Sequence, residues 1–144
     1  MRKVNIKWEQ IWAAVTAIVK NLDDAGIEIN QVYGIDRGGV IPAAMIARQL
    51  GINVKTISVK GGWPDWIYER NTLLVDDIFD TGETINAIFE RADWKPGNTR
   101  VVIATLHSKK VERRDDLLIP DSDFHTFQYE ADEWLVYPWE NEND

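Results

Sequence analysis

Two clusters of residue types in this chain are suited to holding and reacting with a phosphorylated ligand. In the first, Leu73, Leu74 and Val75 lead into adjacent acids, Asp76 and Asp77; after Ile78 and Phe79 come Asp80, Thr81, Gly82, Glu83 and Thr84. Gly82 permits close backbone approach, and the hydroxyls of Thr81 and Thr84 add donors for phosphate oxygens. The carboxylates just upstream suit a divalent metal or a developing cation. An anion cradle beside carboxylates calls for a ligand with both phosphate and positive character. The second cluster is Asp36, Arg37, Gly38 and Gly39. Its two glycines let backbone N–H groups converge, and Arg37 adds a forked cation. Two lysines, Lys60 and Lys109, stand beyond apolar runs of their own.

Each cluster needs a strand to deliver it and a helix to follow it. After the first, Ile85, Ile88, Phe89 and Ala92 fall three or four apart, the spacing of one helix face. A loop entering a helix N-terminus presents unpaired N–H groups and the positive end of the helix dipole, which suits a phosphate. The acid pair is expected at the strand tip. Neighbours on a strand alternate in direction, so Asp76 and Asp77 are expected to point opposite ways. Residues 31–35 read as the first strand, leading into Arg37. A helix follows from about Ile41 to Leu50, with Pro42 in its first turn and Gly51 ending it. Residues 53–59 read as the strand before Lys60, and the glycines and Pro64 beyond it make a loop that lasts until the next strand near Thr72.

The run from 100 to 106 is almost continuously apolar, as a buried parallel strand requires. His107, Ser108, Lys109 and Lys110 stand at its end; His107 has no His or Cys partner at ligand spacing and reads as structural. Trp8, Ile11, Trp12, Val15, Ile18, Val19 and Leu22 mark an amphipathic helix over 8–22 that packs on the sheet. Residues 124–129 alternate as a short strand. Arg113, Arg114, Asp115 and Asp116 read as a solvated turn. Strand and helix alternate along the chain, which indicates an α/β domain whose ligands bind at the carboxyl edge of a parallel sheet.

The net charge of −8 argues against a nucleic-acid groove. It also repels any phosphorylated ligand at long range, so the site must supply local positive potential from Arg37, Lys60, Lys109, backbone amides and metal. A length of 144 residues suits one domain with a real core. The composition, 44% hydrophobic and 28% charged, is that of a soluble globular protein. No apolar run of about 18 residues offers a membrane span, and the N-terminus lacks the apolar region of a secretory signal. The absence of cysteine excludes disulfides and thiolate metal sites and fits a reducing cytoplasm. Gly34, Gly38 and Gly39 have the wrong spacing for a dinucleotide fingerprint, and no P-loop pattern is present.

The stretch 75–84 resembles the signature of the type I phosphoribosyltransferases: an apolar run, an acid pair, two residues, then Asp-Thr-Gly-x-Thr. Residues 36–39 resemble that family's pyrophosphate loop, often built with a non-proline cis peptide. Asp36 departs from the pattern, since relatives acting on purines commonly carry Ser, Ala or Gly there; an acid repels pyrophosphate unless it binds metal or points away. Lys60 resembles the lysine that precedes a loop closing over the substrate, a loop that is short here. Residues 133–140 resemble the C-terminal hood of bacterial-type xanthine-guanine phosphoribosyltransferases, where a Trp-apolar-x-x-Pro-Trp-acid run borders the base. The resemblance covers nearly the whole chain, from the first helix to Glu140.

The resemblance implies a type I phosphoribosyltransferase fold: a mainly parallel central sheet flanked by helices, a single domain over 1–144, and a small hood from elements near 1–7 and 120–140. It implies a Mg²⁺-dependent transfer of the 5-phosphoribosyl group from phosphoribosyl pyrophosphate (PRPP) to an oxopurine, with release of pyrophosphate. Guanine or xanthine comes first as acceptor and hypoxanthine next. The setting would be purine salvage in the cytoplasm, by a homodimer or tetramer, with no nucleic-acid or membrane partner. Asp76, Asp77, Asp80, Thr81, Gly82, Glu83 and Thr84 would hold the ribose and 5-phosphate, Asp77 being the metal candidate. Asp80 would act at purine N7 as proton acceptor or electrostatic stabiliser. Arg37, Gly38, Gly39 and Lys60 would hold pyrophosphate. Lys109, Trp134 and Leu135 would hold the base, the lysine donating to its 6-oxo group. Two other readings share the fold: a non-catalytic PRPP- or nucleotide-binding regulator, and a phosphoribosyltransferase for another base.

Overall fold

A computed structural model describes residues 1–61, 71–92, 101–118 and 123–140. In chain order it contains β1 (Arg2–Asn5), α1 (Trp8–Asp24), β2 (Gln31–Ile35), α2 (Val40–Leu50), β3 (Val54–Ile57), β4 (Thr72–Phe79), α3 (Glu83–Arg91), β5 (Val101–Lys109), β6 (Asp123–Tyr129) and β7 (Glu133–Val136). Five of the strands form one sheet in the order β3-β2-β4-β5-β6, every pairing parallel. The other two, β1 and β7, pair in parallel as a separate two-stranded sheet, with Lys3 opposite Trp134 and Val4 opposite Leu135. The strand at β1 precedes the one read from the sequence as first.

The two faces of the large sheet explain the apolar runs. In β4, Leu73 and Val75 face one core and Leu74 the other; in β5, Val102, Ala104 and Leu106 face the first core, and Val101 and Ile103 the second. A strand covered on both faces has no polar side to alternate with. The first core is closed by α1, through Ile11, Val15, Ile18 and Leu22, and by α2, through Ala43, Ile46 and Ala47. The second is closed by α3, through Ile85, Ile88 and Phe89. Glycines stop or start these helices where the backbone turns left-handed: Gly51 at φ +74° ends α2, and Gly82 at φ +84° begins α3. Among the described residues no helix is long and apolar enough to cross a membrane.

One boundary differs from the expectation in a way that matters for the site. The acid pair is not at a strand tip. β4 continues past it to Phe79, because Ile78 and Phe79 pair with His107 and Ser108 of β5. Both ladders are thus longer than the apolar runs that announce them, and β5 carries Lys109 as its last residue. The closing loop read around Pro64 and the turn at Lys95 lie outside the described residues.

Leu73 is fully buried between β4 and the α1–α2 layer. Leu73→Ala should lower unfolding free energy by about 2–5 kcal/mol in urea titration, and a loss near zero would show that this layer is not the core.

Candidate active site

Connections run from β2 to β3 on one side of the sheet, and the chain then returns to place β4 on the other side of β2. The crevice beyond the carboxyl ends of β2 and β4 is therefore the topological switch point, where open parallel sheets bind ligands. The loop at 36–39 follows β2 and the one at 80–82 follows β4, its neighbour in the sheet. Contact between the first loop and β4 is as tight as atoms permit. A Cβ on Gly38 would collide with the Asp77 carboxylate, and one on Gly39 would meet the Val75 carbonyl and Asp76 Cα. Glycine is thus required by space at Gly39, where the neighbours are backbone, whereas a Cβ at Gly38 asks only the Asp77 side chain to move. The Asp36–Arg37 peptide is cis, as the resemblance implied. Asp36 and Arg37 are both exposed, and the Asp36 N–H donates to the Ile57 carbonyl (2.8 Å).

Asp76 lines the hollow at the start of α3, and Asp77 lines a different cavity with Arg37 and Trp134. The Asp77 N–H donates to Asp76 Oδ1 (2.9 Å), and the Ile78 N–H donates to Asp77 Oδ1 (2.8 Å). Each carboxylate thus accepts from the N–H of the residue that follows it, a local side-chain-to-backbone bond. Asp76 is 9% exposed. Burial, and then the charge of Asp77, raise its pKa well above the ordinary carboxylate range.

Beyond β4, Gly82 opens α3 with no side chain capping it, and Thr81 and Thr84 stand exposed beside it. A small hollow of about 50 Å³ is lined by Asp76 and residues 78–85. The hollow lies at the N-terminus of α3, a place suited to an anion, although the Glu83 N–H already has Thr81 Oγ1 at 3.4 Å. Glu83 turns its carboxylate away to Arg114, which binds it at 2.8 and 3.2 Å.

Arg114, Asp115 and Asp116 are exposed as their sequence suggests, but Arg113 is half-buried and is not part of a solvated turn. Arg113 donates from Nε to the Asp80 carbonyl (2.7 Å) and from Nη2 to the carbonyls of Phe79 (3.1 Å) and Lys109 (2.9 Å), with Ser108 Oγ at 3.3 Å. Its guanidinium lies over the Phe79 ring at 4.4 Å. The reason is backbone satisfaction: carbonyls at the ends of β4 and β5 run past their ladder and need donors. A charged tetrapeptide carries no local mark of that task, so no periodicity could have revealed it.

Arg113 ties together the segments that carry Asp80 and Lys109. Lys109 Nζ lies 3.8 Å from Asp80 Oδ2 and 5.8 Å from the Tyr129 ring centroid. The lysine side chain is 12% exposed and the carboxylate 49%. The cation is thus held over an aromatic face while the acid stays open to a ligand. Lys110 instead pairs with Glu130 (2.8 Å) at the surface.

The C-terminal segment divides its two expected base contacts. Trp134 is 54% exposed and lines a cavity of about 470 Å³ with Arg37, Gly38, Ile41, Asp77, Trp139 and Glu140. Leu135 is 6% exposed and belongs to the first core, so its side chain is not available to a base. Strand alternation is the cause: with Trp134 outward, the next residue of β7 faces in. Tyr137, fully buried, sets its hydroxyl 2.8 Å from His107 Nδ1. Lys60 stands exposed beyond β3, its backbone N–H on Ser58 Oγ (3.3 Å). A larger cavity, about 970 Å³, lies among the far ends of α1 and α2, away from these residues.

No family model matches the chain. It is 28% identical over 158 residues to a xanthine-guanine phosphoribosyltransferase of Cereibacter sphaeroides, covering 94% of this chain and 86% of that one. Among solved structures, the purine phosphoribosyltransferase from Pyrococcus horikoshii superimposes with a TM-score of 0.77 at 28% identity, covering 98% of this chain and 96% of that one. A Neisseria gonorrhoeae protein with bound ppGpp gives 0.79 at 22% identity, covering 99% and 91%. The fold is that of the type I phosphoribosyltransferases, and the similarity to xanthine-guanine phosphoribosyltransferases spans most of the chain.

Arg113→Ala leaves several strand-end carbonyls without their donor and should destabilise the fold by about 1–3 kcal/mol, read as a lower urea midpoint. An unchanged midpoint would show that solvent replaces the arginine. A second expectation concerns acid. Burial holds His107 down at about 4, below its ordinary 6.5. The unfolded chain takes up this proton first, so the stability of the neutral buried ring is present above about pH 6.5 and is lost as pH falls toward 4. His107→Asn should lose less stability than the parent over that interval, by the slope of about one proton; parallel curves would assign the acid sensitivity to other groups.

Proposed function

We propose that this chain is a purine phosphoribosyltransferase that transfers the 5-phosphoribosyl group from PRPP to an oxopurine and releases pyrophosphate, in purine salvage. The observation that carries the reading is one convergence at the switch point. The start of α3 and the Lys109–Asp80 pair stand at the carboxyl edge of β4 and β5, and the glycine loop at 37–39 packs against the β4 acids. The names of the similar proteins support the purine class.

In such a transfer the bond from C1 of the ribose to pyrophosphate breaks as a purine nitrogen bonds to C1, and the ribose gains oxocarbenium character. The amides of residues 81–84 and the two threonine hydroxyls receive the 5-phosphate. Arg37 and the N–H groups of Gly38 and Gly39 receive pyrophosphate, whose negative charge grows as it leaves. Asp80 meets N7 as proton acceptor or electrostatic stabiliser. Lys109 donates to the 6-oxo group. An ammonium at that place favours oxopurines over adenine, whose amino group is itself a donor. Trp134 offers the base an apolar wall.

The acid pair has the chemistry Mg²⁺ uses. Its donors are all oxygen, and Mg²⁺ takes one or two carboxylates, with waters and substrate phosphates completing its sphere. Burial first, and then the charge of Asp77, raise the Asp76 pKa, and a divalent cation would offset the second of these. Asp77 would hold the ion. When bound, it supplies neutralisation of the pyrophosphate charge.

A second reading, a PRPP- or nucleotide-binding regulator without turnover, is favoured by Asp36, an acid within the pyrophosphate loop. Nucleotide formation from PRPP and Mg²⁺ with guanine, xanthine, hypoxanthine, adenine and uracil separates the two. Product is expected with the oxopurines, and Asp80→Asn should lower kcat about 10²- to 10⁴-fold with the fold intact. Folded protein that binds PRPP and makes no product with any base would establish the regulator instead.

A further inference from the structure

The roles above leave Tyr137 and His107 unused, although both are buried beside the site. The segment 133–140 is tied to the periphery by the pairing of β7 with β1 and by the Ile6 N–H on the Val136 carbonyl (2.8 Å). Trp139 stacks on Tyr137 with centroids 4.8 Å apart and planes within 5°, and it meets Trp8 of α1 at 5.9 Å. None of these ties reaches the strand of acids. The Tyr137 hydroxyl does, lying 3.3 Å from the Asp77 carbonyl and 2.8 Å from His107 Nδ1 on β5. A hydroxyl has one proton. Donated to the Asp77 carbonyl, it leaves the oxygen to accept from Nδ1–H, which fixes the histidine tautomer.

Asp77 also lines the cavity of about 470 Å³, bounded by Arg37, Gly38 and Ile41 on one side and by Trp134, Trp139 and Glu140 on the other. The hydroxyl therefore joins the C-terminal wall to the strand against which the opposite loop is packed.

We propose that Tyr137 is a positioning residue: through the Asp77 carbonyl and His107 it sets the width of this cleft, and with it the affinity for the substrate that fills it. The identity of that substrate, PRPP or the purine, rests on the phosphoribosyltransferase reading.

Tyr137→Phe keeps the ring that stacks on Trp139 and removes only the hydroxyl. With PRPP and an oxopurine, KM for at least one of the two should rise about threefold to tenfold, the worth of one hydrogen bond, with kcat held within about twofold. His107→Asn, which keeps a donor near the place of Nδ1, should retain the parent KM, whereas His107→Leu should reproduce the phenylalanine variant. Unchanged KM in Tyr137→Phe, or no difference between the two histidine variants, overturns the proposal. If the parent protein makes no nucleotide at all, the proposed function has failed and the link is still read by hydrogen exchange. Amides of 133–136 should then exchange faster in Tyr137→Phe, and unchanged exchange sinks the link.

Discussion

The packing of the 37–39 loop onto β4 is the contact on which the site depends. Gly38 lies against the Asp77 carboxylate and Gly39 against the backbone of Val75 and Asp76, with no room for a side chain at Gly39. The anion loop after β2 is thereby held at a fixed distance from the acids of β4. Because β2 and β4 are also neighbours in the sheet, paired from Gln31 with Thr72 to Gly34 with Val75, loop and acids share one rigid frame. Phosphate recognition by backbone N–H groups needs such a frame, since each N–H is short and a displacement of an ångström costs the bond.

That frame concentrates negative charge, and the surroundings manage it in three ways. Asp76 is buried, and its pKa rises. Glu83, at the mouth of the phosphate cradle, is drawn aside by Arg114. Arg113 spends its donors on carbonyls at the ends of β4 and β5, and so holds Asp80 near Lys109. Exposed ion pairs of this kind add little stability by themselves; what they contribute is placement. In a protein of net charge −8, such local arrangement is what makes a place for a phosphorylated ligand.

Much of the fold was legible along the chain. The apolar run from Leu73 and the helical spacing of Ile85, Ile88 and Phe89 named β4 and α3, and Gly51 marked the end of α2. The strand-loop-helix order was enough to place Arg37 and Asp80 at the same edge. Legibility failed where a residue's task is set by a distant partner. Arg113 looked solvated because the carbonyls that it serves lie some thirty positions earlier in the chain at Phe79 and Asp80. Leu135 was expected at the base because residues 133–140 resemble a family's hood; the packing of β7 decided that Leu135 faces inward and Trp134 outward.

The residues themselves determined the fold class, the order of its elements and the chemistry on offer: carboxylates, an anion loop and a lysine, each carried to a strand end by local apolar pattern. Those are properties of short windows, where side-chain period and turn formers act over a few positions. Tertiary structure decided how far β4 and β5 extend, that Glu83 is paired with Arg114, and that Tyr137 reaches the backbone of Asp77. Each of these is a pairing between segments remote in sequence. A hydrogen bond depends on distance in space, and the same donor in the same local sequence would bond to water if the chain brought it no partner.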